Sequence, residues 1–132
     1  MPLETIIFLL GRILYGGFFV IMGVNHFTKT GMLTNYAQLK NIPYSRIAVY
    51  LTGLMLILGG LGVILGVYVT WSLWMLILFL LLTAFLIHNF WKAFDEQTKA
   101  QDFQSFLRNL ALAGAAIIML SFPEPWILFV GV

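Results

Sequence analysis

Four windows of mostly apolar residues dominate this chain, at about 6–24, 47–67, 70–88 and 106–122. A helix needs about 20 such residues to cross the ~30 Å hydrocarbon core of a bilayer. Four windows of that length in 132 residues leave no material for a soluble shell. Only 9% of the residues are charged and 61% are hydrophobic, whereas a soluble domain carries about 25% charged residues. Most of the exterior must therefore meet lipid. The expectation is an all-α membrane protein, an up-down bundle of four transmembrane helices forming one transmembrane domain over 1–132. The first window reads as a retained span rather than a cleaved leader, because Glu4 stands where a leader carries basic residues and Arg12 interrupts the run.

Charge sets the orientation. Of seven Lys and Arg residues, six fall after the first and third windows: Lys29, Lys40, Arg46, Lys92, Lys99 and Arg108. Basic loops stay in the cytoplasm, so both termini are expected outside, in a bacterial inner membrane. The net charge of +2 forms no basic stripe with interleaved aromatics, so nucleic acid is not an expected partner. Cysteine is absent, which removes disulfides, thiolate metal sites and dithiol redox chemistry. Trp71, Trp74, Trp91 and Trp126 fall where indoles sit at membrane interfaces. Pro123 and Pro125 end the last helix, and the tail 126–132 either lies along the outer interface or folds back on the bundle.

Helix association in lipid depends on close backbone approach. Gly62 and Gly66 form a GxxxG pair, Gly16 and Gly23 share a face of the first span, and Gly114 lies among alanines in the fourth. These glycines serve either packing within one bundle or contact with a second copy or another membrane protein. The first and third windows end alike, in "NHFTK" and "HNFWK", with Phe27 and Phe90 63 residues apart. A two-plus-two repeat would give that pattern.

Polar residues in such a chain are the candidates for function. Arg12, Gly16, Phe19, Gly23 and His26 fall on one helical face, spaced 4, 3, 4 and 3. An intramembrane arginine on that face either points into the bundle or snorkels to the headgroups. At the cytoplasmic end, Asn25 and His26, then His88, Asn89 and Trp91, then Gln101, Gln104 and Asn109 reach similar depth. They are either helix caps or the wall of a binding site. Asp95, Glu96 and Asp102 read as solvated loop residues. A histidine beside an amide can hydrogen-bond a quinone carbonyl or a small polar headgroup, and can relay a proton. Two histidines could also ligate haem, but its edge would then sit near water, which argues against haem. Zinc needs a third ligand that the membrane segments lack. No nucleophile–base pair, phosphate loop or dinucleotide motif is present, so no enzymatic activity of the chain by itself is read.

The combination "GRILYGGFFVIMGVNHF", "LTGLMLILGGLGVILG", "HNFW" and "QSFLRNLALAG" resembles the DoxX family of small four-helix membrane proteins along essentially the whole chain. In that resemblance Arg12, His26, His88, Asn89, Trp91 and Asn109 match recurring positions. It implies a setting more than a reaction: the family takes its name from similarity to a subunit of a membrane thiosulfate–quinone oxidoreductase, and a relative is associated with redox stress. The implied function is an accessory subunit of a redox or envelope-stress system, binding a quinone or lipid-like ligand through Arg12, Asn25, His26, His88, Asn89, Trp91, Gln101 and Asn109. The alternative is a non-enzymatic assembly factor that packs through its glycine faces. The lack of cysteine separates the chain from thiol-dependent four-helix quinone enzymes.

Overall fold

The computed structural model describes residues 1–127, and residues 128–132 of the tail lie outside them. The described residues form five α-helices: α1 (Leu3–Thr28), α2 (Thr30–Leu39), α3 (Ser45–Leu65), α4 (Val69–Leu86) and α5 (Glu96–Leu120). A single 3₁₀ turn, Phe90–Lys92, precedes α5. Helices α1, α3, α4 and α5 are the four expected spans, each long and apolar enough to cross a bilayer. They are the helices of a multi-pass membrane protein. No strand occurs among the described residues, as expected where every backbone group in lipid must be satisfied within its own helix.

Boundaries depart from the apolar windows for identifiable reasons. Helix α5 starts ten residues before its window because the Asp95 side chain accepts from the Thr98 N–H at 3.1 Å and caps it. Hydropathy marks where lipid begins, not where the helix begins. Helix α3 stops at Gly66, whose φ of 78° is left-handed, and Tyr68 repeats that conformation before α4. The basic segment after α1, expected as a loop, folds into α2, which buries Thr30, Thr34 and Ala37 on one face.

Close contacts fix the register. Cβ atoms added at Gly16 and Gly23 would meet the carbonyls of Gly60 and Gly53 at 2.5 and 2.8 Å, so α1 and α3 run antiparallel in near backbone contact. Gly59 faces Leu76, and Gly62 faces the Ser72 hydroxyl of α4. Asn109 of α5 reaches Leu80 and Thr83 of α4. Each span is therefore antiparallel to the next. The most intimate pairs are α1 with α3 and α4 with α5, with α3 and α4 joining the halves. That pairing fits a two-plus-two plan, although the linkers differ, one a ten-residue helix and the other a single 3₁₀ turn.

Helices α1 and α5 do not approach each other at backbone level among the described residues. Side chains bridge this side: the Tyr15 hydroxyl donates to the Leu112 carbonyl of α5, and Phe8 meets Phe122, just beyond α5, edge to face at 5.7 Å. That flank is thus closed by side chains rather than by backbone contact. The core of the bundle runs through Phe19, Leu56, Leu73, Leu76, Leu80 and Ala116.

Two expectations need correction, those for Gly114 and Trp126. Gly114 does not pack against another helix, since a Cβ there meets nothing within 4 Å. Of the two uses open to the Gly62–Gly66 pair, the one seen is packing within the bundle: Gly62 faces Ser72 of the same chain and Gly66 lies against Arg12. Trp126 is not an interfacial indole but is buried, packed edge-on against Phe8 at 5.0 Å. Through Ile127 the tail folds back on the bundle, and the expectation for 128–132 lies outside the described residues.

Candidate functional site

Two polar centres occupy opposite ends of the bundle. At the end where α3 finishes, Arg12 is 1% exposed and points inward. Its Nε donates to the Val63 carbonyl at 2.9 Å, Nη2 to Ile64 at 2.8 Å and Nη1 to Ile127 at 2.7 Å. The last carbonyls of a helix lack intrahelical donors and carry the negative end of its dipole. The guanidinium supplies both the missing donors and the positive charge, and pins the tail. Rings of Phe8 and Trp126 cover it at 5.3 and 5.5 Å. The stripe from Arg12 to Gly23 is buried as its spacing predicts.

At the other end lies a cavity of about 360 Å³ between the two halves of the bundle, roofed by α2. His26 and His88, from α1 and from just beyond α4, both line it, together with Asn109 of α5. The His26 Nδ1 lies 3.0 Å from the Val49 carbonyl and 3.1 Å from the Thr52 hydroxyl. Those contacts orient its ring toward Phe79, 6.2 Å away. The Asn109 amide donates to the Thr83 hydroxyl at 2.7 Å and more weakly to the Leu80 carbonyl at 3.3 Å. The His88 Nδ1 is buried with no hydrogen-bond partner among the described residues. An orphaned buried nitrogen is costly, and the residue that carries it lines the cavity. The walls are mainly apolar, including Phe18, Leu82 and Leu86, which are also exposed on the bundle surface.

Other residues read from the sequence stand elsewhere. Arg12 is at the opposite end. Asn25 is half-buried and outside the lining. The Asn89 Oδ1 accepts from Lys40 at 3.1 Å. Trp91 joins Phe85, Phe90 and Phe106 in an aromatic cluster. Gln101 and Gln104 are exposed. Sequence reasoning missed Tyr36, Thr52, Thr83 and Arg108, which also line the cavity. Thr83 could have been found, because it precedes His88 by five residues and lies on the α4 face that meets Asn109. Tyr36 required recognising α2 as a helix.

Asp102 is not solvated, contrary to expectation. It is buried, and its Oδ2 pairs with Lys40 Nζ at 3.0 Å. The pair joins the end of α2 to α5 beside the cavity. The Tyr36 phenol is held above its usual pKa, first by burial, then by the charge of Asp102 and a hydrogen bond to it. Removing one member of a buried ion pair strands the other. Lys40→Met is expected to lower stability by about 1–3 kcal/mol, reduced from the fully buried case because Lys40 keeps some water. The double variant Lys40→Met/Asp102→Leu should recover most of that loss. Thermal unfolding in detergent measures both, and a double variant no better than Lys40→Met would refute the assignment.

Among the described residues no three His, Cys, Asp or Glu side chains gather as a metal site requires. The DoxX family model matches residues 7–89, from α1 through the His88–Asn89 pair. Comparison with curated proteins and with solved structures gave no match. The α5 face of the cavity, with Asn109, Arg108 and the adjoining Asp102, falls outside the matched segment.

Proposed function

The chain belongs to the DoxX family, and on that premise we propose that it is an accessory subunit of an inner-membrane redox or envelope-stress system, holding a quinone or lipid-like amphiphile in the cavity between its helix pairs. The observation that carries this reading is a mainly apolar cavity of about 360 Å³ on which His26, His88 and Asn109 converge from three separate segments. Sites for small ligands are concave, mostly apolar and supplied with a few placed polar groups, in volumes of about 300–1,000 Å³. An amphiphile with a carbonyl or similar acceptor accepts a hydrogen bond from the His88 ring, while its chain fills the apolar walls. His26 and Asn109 flank the same head. Asn25, Asn89, Trp91 and Gln101 are given no ligand contact, and Arg12 acts on the fold.

On the distribution of basic residues this end of the bundle faces the cytoplasm, with both termini outside. A partner protein would exchange electrons with a bound quinone, since the side chains of the cavity offer no redox group. The test is titration of purified protein in detergent with a short-chain ubiquinone or menaquinone analogue. His88→Ala should weaken binding about tenfold or more, the equivalent of about 1.4 kcal/mol, while Gln101→Ala, an exposed site, should bind as the wild type does. Equal binding by the wild type and His88→Ala, or none by either, overturns the proposal.

A further inference from the structure

The cavity lining is electrostatically lopsided. Arg108, which is exposed at the bundle surface, also lines it, and among the described residues it is the only formally charged one that does so. Asp102, six residues earlier on the same helix, is committed to Lys40, and Arg108 has no ion-pair partner among the described residues. Among the described residues no carboxylate lines the space. Asn109, its neighbour in sequence, and His88 line the same cavity as Arg108. The cavity therefore carries a positive group and several hydrogen-bond donors with no negative group among its described lining, against walls that are mainly apolar.

The route in is also visible. Helices α1 and α5 leave a flank without backbone contact. Phe18 and Met22 of α1 and Leu82 and Leu86 of α4 line the cavity while presenting side-chain surface to the outside of the bundle. These are lipid-facing positions on helices that span the membrane. Past these four side chains an occupant can pass between bilayer and cavity without crossing water. A volume of about 360 Å³ is near the lower limit for small-molecule sites. It takes a head and part of one chain, not a two-chain lipid.

We infer that the cavity binds a single-chain amphiphile with an anionic head, carboxylate or phosphate, taken from the membrane leaflet, and that Arg108 is the residue that selects the charge. This rests on the proposed ligand cavity and names the ligand class. Arg108 engages two head oxygens in the fork geometry that guanidinium offers to carboxylate and phosphate. His88 donates to the same head, and the chain follows the apolar walls toward these lipid-facing side chains.

Three probes of equal chain length, measured on protein in a neutral maltoside detergent, test it: myristate, 1-tetradecanol and a 14-carbon lysophosphatidate. Calorimetry or native mass spectrometry reads binding by wild type, Arg108→Gln, Arg108→Lys and His88→Ala. Wild type should bind myristate or the lysophosphatidate at least tenfold more tightly than the alcohol, and the tighter of the two anions names the source, free fatty acid or lysolipid. Arg108→Gln should abolish that preference without changing alcohol binding. Arg108→Lys should restore part of it, and His88→Ala should weaken acid and alcohol alike. If acid and alcohol bind equally and Arg108→Gln alters neither, the arginine serves only the headgroup surface and the inference falls, while the cavity reading stands. If neither these probes nor the quinone analogue binds, the cavity reading falls with it.

Discussion

An Arg12→Leu variant is expected to lose about 3–5 kcal/mol of stability, in the range found when a buried charged network is broken. Three charge-assisted hydrogen bonds leave with the guanidinium, to Val63, Ile64 and Ile127. Each such bond contributes about 1.5–3 kcal/mol when the donor is ionised. Leucine returns some of this by packing against Phe8 and Trp126. It also spares the cost of placing arginine in lipid, but that cost falls on insertion and not on assembly of inserted helices. What remains is a set of carbonyls at the end of α3 with no donor in reach. Lysine should restore only a minor part, because an ammonium is a point charge that cannot face three carbonyls in a planar fork. The tail should suffer first, since Ile127 is tied by Nη1. Limited proteolysis beyond Pro125 should therefore accelerate in Arg12→Leu at temperatures where α1 and α3 remain paired. Thermal unfolding in detergent supplies the global figure, and a loss below about 1 kcal/mol would show that the carbonyls find other donors.

The fold was legible because lipid imposes a strong rule on sequence: each crossing requires a long apolar run, and each run was visible. Helix faces were legible too where spacing repeated, as from Arg12 to Gly23. The limits of the helices were less so, because capping at Asp95 and the left-handed turn at Gly66 act on backbone groups that hydropathy does not weigh. Half of the site could be read. His26, His88 and Asn109 were candidates because polar groups are rare in such a chain, and all three line one cavity. Asn89, Gln101 and Trp91 shared their depth but not their direction, and depth alone cannot tell inward from outward. Asp102 was misjudged for the opposite reason. Its burial depends on Lys40, 62 residues away, which α2 brings into place. A short helix of mixed composition carries no strong periodic signal, so the roof of the cavity stayed invisible until the chain was folded. Gly53 and Gly60, which complete the contact between α1 and α3, lacked the spacing that drew attention to Gly62 and Gly66.

The second large effect lies in that contact. Gly23→Leu is expected to destabilise the bundle by more than about 3 kcal/mol, beyond the usual range for an overpacked core. A first side-chain carbon at Gly23 would meet the Gly53 carbonyl oxygen at 2.8 Å and the Ile57 side chain at 2.7 Å. The oxygen belongs to the backbone, which a rotamer change cannot move. The only relief is separation of α1 from α3. Since Gly16, Gly23, Gly53 and Gly60 interlock reciprocally, moving one contact loosens the other three. Close approach is itself the source of attraction in lipid, where no hydrophobic drive between helices compensates for lost packing. The cavity should open at the same time, because Gly53 lies against the His26 Cβ and sets where that ring stands. Gly114→Ala provides the contrast: its Cβ meets nothing within 4 Å, and alanine should add about 0.5–1 kcal/mol through helix propensity. Thermal unfolding of the two variants beside the wild type should move in opposite directions. A Gly23→Leu protein as stable as the wild type would mean that α1 and α3 do not meet along this seam, and the placement of His26 at the cavity would have to be abandoned with it.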